Sequence, residues 1–135
     1  MRGTPGQEFH VVAPVKDEPQ FLIFHPSGFS NKEFRDYLEV NELTQLVFTG
    51  VVGSRCVNAT VVTASSLGYE CVMLNDLISG PAKFTDEMRE HEKLTTFFYA
   101  QSIKANDFIR RLSALQAEPN PAMQLYPTLI SGPVL

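Results

Sequence analysis

Two short apolar runs, Gln45–Thr49 and Glu70–Asn75, stand on either side of a helix-length stretch, Ser54–Leu67, rich in small and β-branched residues. A strand, a helix of ten or more residues and a second strand read as a right-handed crossover, which makes the two strands parallel neighbours. Parallel sheets are covered on both faces, so the fold class is α/β: three layers, with a mostly parallel sheet between helices. Ligands of such sheets bind at the carboxyl ends of the strands. On architecture alone, that puts the turn Gly50–Cys56 at the functional edge.

The same reading extends along the chain. Phe21-Leu22-Ile23-Phe24, ended by Pro26 and Gly28, predicts a further strand buried on both faces. Asn31 predicts the cap of a helix to about Val40, with Phe34, Tyr37 and Leu38 on one side. Gly68 closes the helix that follows Cys56. Thr85 with Asp86 and Glu87 opens a helix to about Tyr99. Ser102–Lys104 reads as a short last strand, and Asn106 or Asp107 starts a helix through Leu115. Residues 1–17, punctuated by Gly3, Pro5, Gly6 and Pro14, read as an arm, and 118–135, with four of the nine prolines, as an extended tail. Between them, residues 18–117 are expected to form one domain around one core, as suits a chain of 135 residues.

Hydrophobic residues make up 44% and charged residues 19%, a globular balance. The net charge of -4 is spread out, without the Lys/Arg block that tracks a phosphate backbone, so nucleic acid is set aside as a partner. No apolar run is long enough to span a bilayer, and MRGTPGQEFH lacks the apolar stretch of a secretory leader. No membrane partner and a cytoplasmic location are expected. Cys56 and Cys71 lack CxxC partners, and His10, His25 and His91 are scattered, so neither a metal nor a cofactor is expected.

The run Thr49-Gly50-Val51-Val52-Gly53-Ser54-Arg55-Cys56 passes from strand directly into helix. A cysteine in a first helical turn meets unpaired backbone N–H groups and the positive end of the macrodipole, and both favour the thiolate. The same N–H groups can stabilise an oxyanion. Gly50 and Gly53 let the backbone approach a ligand closely. The position equally suits a small thiol that packs the helix on the sheet.

The spacing also resembles that of the isochorismatase-like cysteine hydrolases. Gly50, Cys56 six residues on, Val57, the small-residue helix over Ala59–Ala64, Gly68-Tyr69 and Asp76 follow that family's order. Arg89-Glu90-His91-Glu92 with Leu94, Gly3-Thr4-Pro5-Gly6 with Glu8, and Phe29 with the Asn31–Leu38 helix extend the resemblance over roughly residues 3–108. It implies a Rossmann-like parallel sheet, hydrolysis through a thioester-type intermediate (or vinyl-ether cleavage), and a cis peptide at Val51-Val52. A small amide or related compound is the implied substrate. Cys56 is then the nucleophile, with Val52, Gly53, Arg55 and Phe29 around the substrate and its oxyanion.

Two parts of the family's pattern are not found. The aspartate that ends its first strand falls upstream of Gly3-Thr4-Pro5-Gly6, and that strand is expected to be missing. The lysine position falls on Ile23, or with a short gap on Phe24 or His25, and Lys16 and Lys32 are the nearest lysines. His25 is therefore the candidate base. The missing strand predicts a homo-oligomer, formed to cover the sheet side left open. The rival reading is a non-catalytic descendant that serves as a binding or assembly module. A redox-sensing thiol is a third.

Overall fold

Cys71, Val72, Met73 and Leu74 are all buried, four consecutive residues whose side chains alternate between the two faces of a strand. That strand is therefore covered on both sides. It is β2 (Glu70–Ser79), the centre of a three-stranded sheet in the order β1 (Gln45–Val51), β2, β3 (Gln101–Ile103). This computed structural model describes residues 14–80 and 85–116. Most of the expected arm and the whole of the tail at 118–135 lie outside them.

Both strand pairs are parallel, as the spacing predicts. Among the described residues the α-helices are α1 (Lys32–Val40), α2 (Asn58–Ser66), α3 (Thr85–Tyr99) and α4 (Ala105–Gln116). Cys71 and Met73 face α2 and share a core with Val57, Val61, Ala64, Phe29 and Leu38. Val72 and Leu74, one residue out of phase, point to the other face, where α4 lies against β2. The α2–α3 pair and α4 are the outer layers of the expected three.

Local chemistry sets the helix ends. Asn31 caps α1, its side-chain oxygen accepting the Phe34 N–H at 3.1 Å. At the end of α2, Gly68 turns at φ +91°, and the Tyr69 and Gly68 N–H groups bond back to the carbonyls of Ala64 and Ser65. This is the paired closure that a glycine in the left-handed region permits.

One expected strand is not formed. Phe21–Phe24 lies outside any strand. Phe21 packs its ring against Phe34 and Tyr37 of α1, while Leu22, Ile23 and Phe24 are exposed. A strand needs a neighbour to take up its N–H and C=O groups, and among the described residues none runs beside this segment. Docking one aromatic ring on α1 takes the place of pairing.

Parallel pairing is interrupted at the carboxyl end of β1. From Phe48 to Gly50, β1 advances two residues, while their partners on β2, Met73 and Ile78, are five apart. The three additional residues of β2 bow outward, and Ile78 and Ser79 rejoin β1 at Gly50 and Val51. Both strands thus extend to the turn that carries Cys56.

Candidate active site

At the end of β1 the Val51–Val52 peptide is cis, at the position the resemblance implies. The chain then enters a π-helical turn over Gly53–Val57 before α2 begins. The Val57 N–H reaches back five residues to the Val52 carbonyl at 3.4 Å, and the Asn58 N–H reaches back five to that of Gly53. Such turns carry one residue more than an α-helical turn and recur at functional sites.

The turn brings Cys56 back over the strand end. The Val52 N–H donates to Cys56 Sγ at 3.2 Å, and the thiol can donate to the Val51 carbonyl oxygen at 3.1 Å. A neutral thiol uses both contacts. A thiolate, which has no proton to give, keeps only the N–H. The residue is half-buried, unlike Cys71, which is buried.

The two glycines before Cys56 are needed for different reasons. Gly50 sits at φ +124°, a conformation that side chains disfavour. Gly53 is required by packing: a Cβ there would lie 2.8 Å from Ile78 Cγ2 and 3.4 Å from Met88 Cε. The close approach expected of a ligand at Gly53 is made by β2 and α3, which hold the turn from behind.

The structure gathers Val52, Gly53 and Cys56 into one turn and leaves Arg55 on its exposed side. Phe29 is buried in the core, its ring 5.3 Å from that of Phe34 and 5.5 Å from that of Tyr69. His25 is exposed, ahead of the short Gly28–Ser30 turn. Lys32 pairs with Asp36 at 2.5 Å on the surface of α1. Asp76 accepts the Ala105 N–H at 2.9 Å and so anchors the start of α4. Among the described residues, no group of three or more His, Cys, Asp and Glu side chains could hold a metal ion.

The second cysteine contrasts with the first. Cys71 is buried against the Val61 and Tyr69 carbonyls, and burial pushes its thiol up to about 11. It packs the core.

Two contacts at the start of α2, next to the turn that carries Cys56, are absent from the sequence reading. Thr60 bonds the Cys56 carbonyl, and Asn58 bonds Thr95 of α3. Thr60 could have been found, because a threonine four residues after Cys56 stacks directly beneath it on a helix. No spacing rule links Asn58 to Thr95.

The isochorismatase domain family matches residues 1–105, and the chain belongs to that family. It therefore shares the isochorismatase-like fold by descent. It is 28% identical over 115 residues to the ureidoacrylate amidohydrolase RutB of Variovorax paradoxus, a match covering 83% of this chain and 45% of that protein. An isochorismatase-like hydrolase from Alkaliphilus metalliredigens superposes with a TM-score of 0.73 at 25% identity, over 82% of this chain and 60% of the other. The pyrazinamidase of Pyrococcus horikoshii gives 0.56 at 25% identity, over 76% and 59%. The chain thus spans less than two thirds of each of these relatives. Among the described residues, no helix is long and apolar enough to cross a membrane.

Proposed function

We propose that Cys56 attacks the carbonyl carbon of a small amide. The carbon–sulfur bond forms as the carbonyl electrons move to oxygen. The tetrahedral intermediate then collapses, expelling the amine, which takes up the proton that the thiol gave to the base on attack. Water hydrolyses the resulting thioester and restores the thiol. The observation that carries this reading is the Val52 N–H aimed at Cys56 Sγ in the strand-to-helix turn. Family membership supports it, as do the names of two similar proteins, an amidohydrolase and a pyrazinamidase. Val52 and Gly53 supply the amides around the oxyanion, Arg55 borders the substrate, Phe29 backs the site from within the core, and His25 serves as the base. Backbone N–H contacts and the helix dipole contribute about 1 kcal/mol each, so turnover is slow.

Incubation with a panel of small primary amides, followed by intact-mass spectrometry, tests the reading. An acyl adduct on Cys56 that is absent from Cys56→Ala is expected. Amide hydrolysis that continues in Cys56→Ala would remove this site. His25→Gln should slow release of the acyl group without preventing its formation.

A second reading, a binding or assembly module, has its own support. Among the described residues β1 pairs only with β2, and its Val47 and Val51 are exposed, Val51 at 64%. On α3, Leu94, Phe97 and Phe98 are also exposed, at a spacing that puts them on one face. Self-association through these surfaces should give a dimer or larger species in light scattering, reduced by Val47→Lys or Phe97→Glu. A monomer at high concentration would argue against it.

A further inference from the structure

Thr60 Oγ1 makes two bonds in opposite directions. Its hydrogen goes to the Cys56 carbonyl oxygen at 2.7 Å, and its oxygen accepts the Gly28 N–H at 3.0 Å. A threonine bonded to the carbonyl four residues back is common in helices. Thr63 does the same to Ala59 at 2.7 Å. Thr60 differs in the carbonyl it holds, which belongs to the residue that carries the thiol. Its lone pair is also taken by a backbone group from another part of the chain.

Thr63 forms a parallel rung. Ser27 Oγ lies 3.2 Å from Thr63 Oγ1 and also accepts the Phe29 N–H at 3.3 Å. Two hydroxyls of α2 therefore clasp the Gly28–Ser30 turn, but only one of them touches the Cys56 peptide.

We propose that Thr60 is a positioning residue for the Cys56 thiol, acting through the Cys56 carbonyl; this rests on the reading of Cys56 as nucleophile. The Gly28 N–H occupies the Thr60 oxygen and so turns the hydroxyl hydrogen toward Cys56. Gly28 also leaves room for the Thr60 methyl group, since a Cβ at that position would stand 3.3 Å from Thr60 Cγ2. The Cys56 peptide is held from below while its sulfur meets the Val52 N–H at 3.2 Å above. Rotation of that peptide would draw the sulfur off the Val52 N–H. The Gly28–Ser30 turn and the nucleophile are thereby coupled through one hydroxyl.

The test is the rate at which iodoacetamide alkylates Cys56 in the folded full chain at neutral pH, followed by peptide mass spectrometry. Thr60→Val keeps the shape and removes the hydroxyl, and should slow alkylation about fivefold, the worth of one hydrogen bond. Thr60→Ser should restore the rate to within about twofold of the parent. Thr63→Val should lower the melting temperature as Thr60→Val does, yet leave the Cys56 rate unchanged. Thr60→Ala reads the same bond without the methyl group, and serves if the valine variant fails to fold. Equal rates in the parent and in the Thr60 variants lacking the hydroxyl would overturn the proposal. So would an equal slowing by Thr63→Val, which would mean that the clasp acts through stability. A parent Cys56 that reacts no faster than the thiol of the urea-unfolded chain would instead overturn the nucleophile reading beneath it.

Discussion

Thr95 of α3 donates its hydroxyl hydrogen to Oδ1 of Asn58, the first residue of α2, two positions after Cys56. Thr95 is only 3% exposed, and the same hydroxyl also reaches the His91 carbonyl within its own helix at 2.8 Å. A hydrogen bond from a buried donor thus joins two helices just after the turn that carries Cys56. Replacing Thr95 with valine keeps the volume and leaves the Asn58 oxygen without this donor. A stability loss of about 1–3 kcal/mol is expected by urea denaturation, against less than about 1 kcal/mol for Thr95→Ser. Equal losses for the two variants would show that the methyl group, not the hydroxyl, matters here.

The buried thiol of Cys71 makes stability depend on pH. Burial holds the Cys71 thiol neutral up to about 11, whereas in the unfolded chain it ionises near its ordinary value of about 8.5. Between those values the folded state binds the proton more tightly, so Cys71 makes stability fall as pH rises from about 8.5 toward 11. Cys71→Ala should flatten that fall while costing about 1 kcal/mol at neutral pH through lost packing. Labelling of the native protein at pH 8 should mark Cys56 and spare Cys71.

Substitution by alanine at Gly68 and at Gly53 should have opposite signatures. At Gly68 a Cβ meets nothing within 4 Å, so only the φ of +91° opposes it. A loss of about 1 kcal/mol with unchanged Cys56 reactivity is expected. At Gly53 the new Cβ would collide with Ile78 Cγ2. The turn must shift, and Cys56 alkylation should slow even where the melting temperature changes little.

Glu92 on α3 is partly buried, and that burial raises its carboxyl above the ordinary value. An acid raised on folding binds its proton more tightly in the folded state, so it destabilises the fold when ionised and ceases to do so as pH falls. Glu92→Gln should therefore raise the melting temperature at pH 7. The gain should shrink as the pH is lowered through the carboxylate range. A gain that stays constant with pH would assign it to packing.

The strands and helices around Cys56 were legible because each carries a local signal: an apolar run, a capping asparagine at Asn31, a closing glycine at Gly68. The Gln45–Thr49 and Glu70–Asn75 runs pair in parallel, with β2 continuing to Ser79. The failure at Phe21–Phe24 has a physical source. An apolar tetrad states that a segment avoids water, but whether it becomes a strand depends on a neighbour that local sequence does not name. The position of Cys56 in a strand-to-helix turn followed from the local pattern, whereas the cis bond at Val51–Val52 was expected from the family resemblance alone. The bonds from Thr60 to Gly28 and from Thr95 to Asn58 join residues 32 and 37 positions apart. They arise only once the helices pack.

The π turn at Gly53–Val57 also fixes how this chain can vary in length. Its five residues are one more than an α-helical turn carries. Losing one of them would leave an ordinary α-helical turn, and the backbone that brings Cys56 back to the Val52 N–H would be one residue short. The length of this stretch therefore matters as much as the side chains along it.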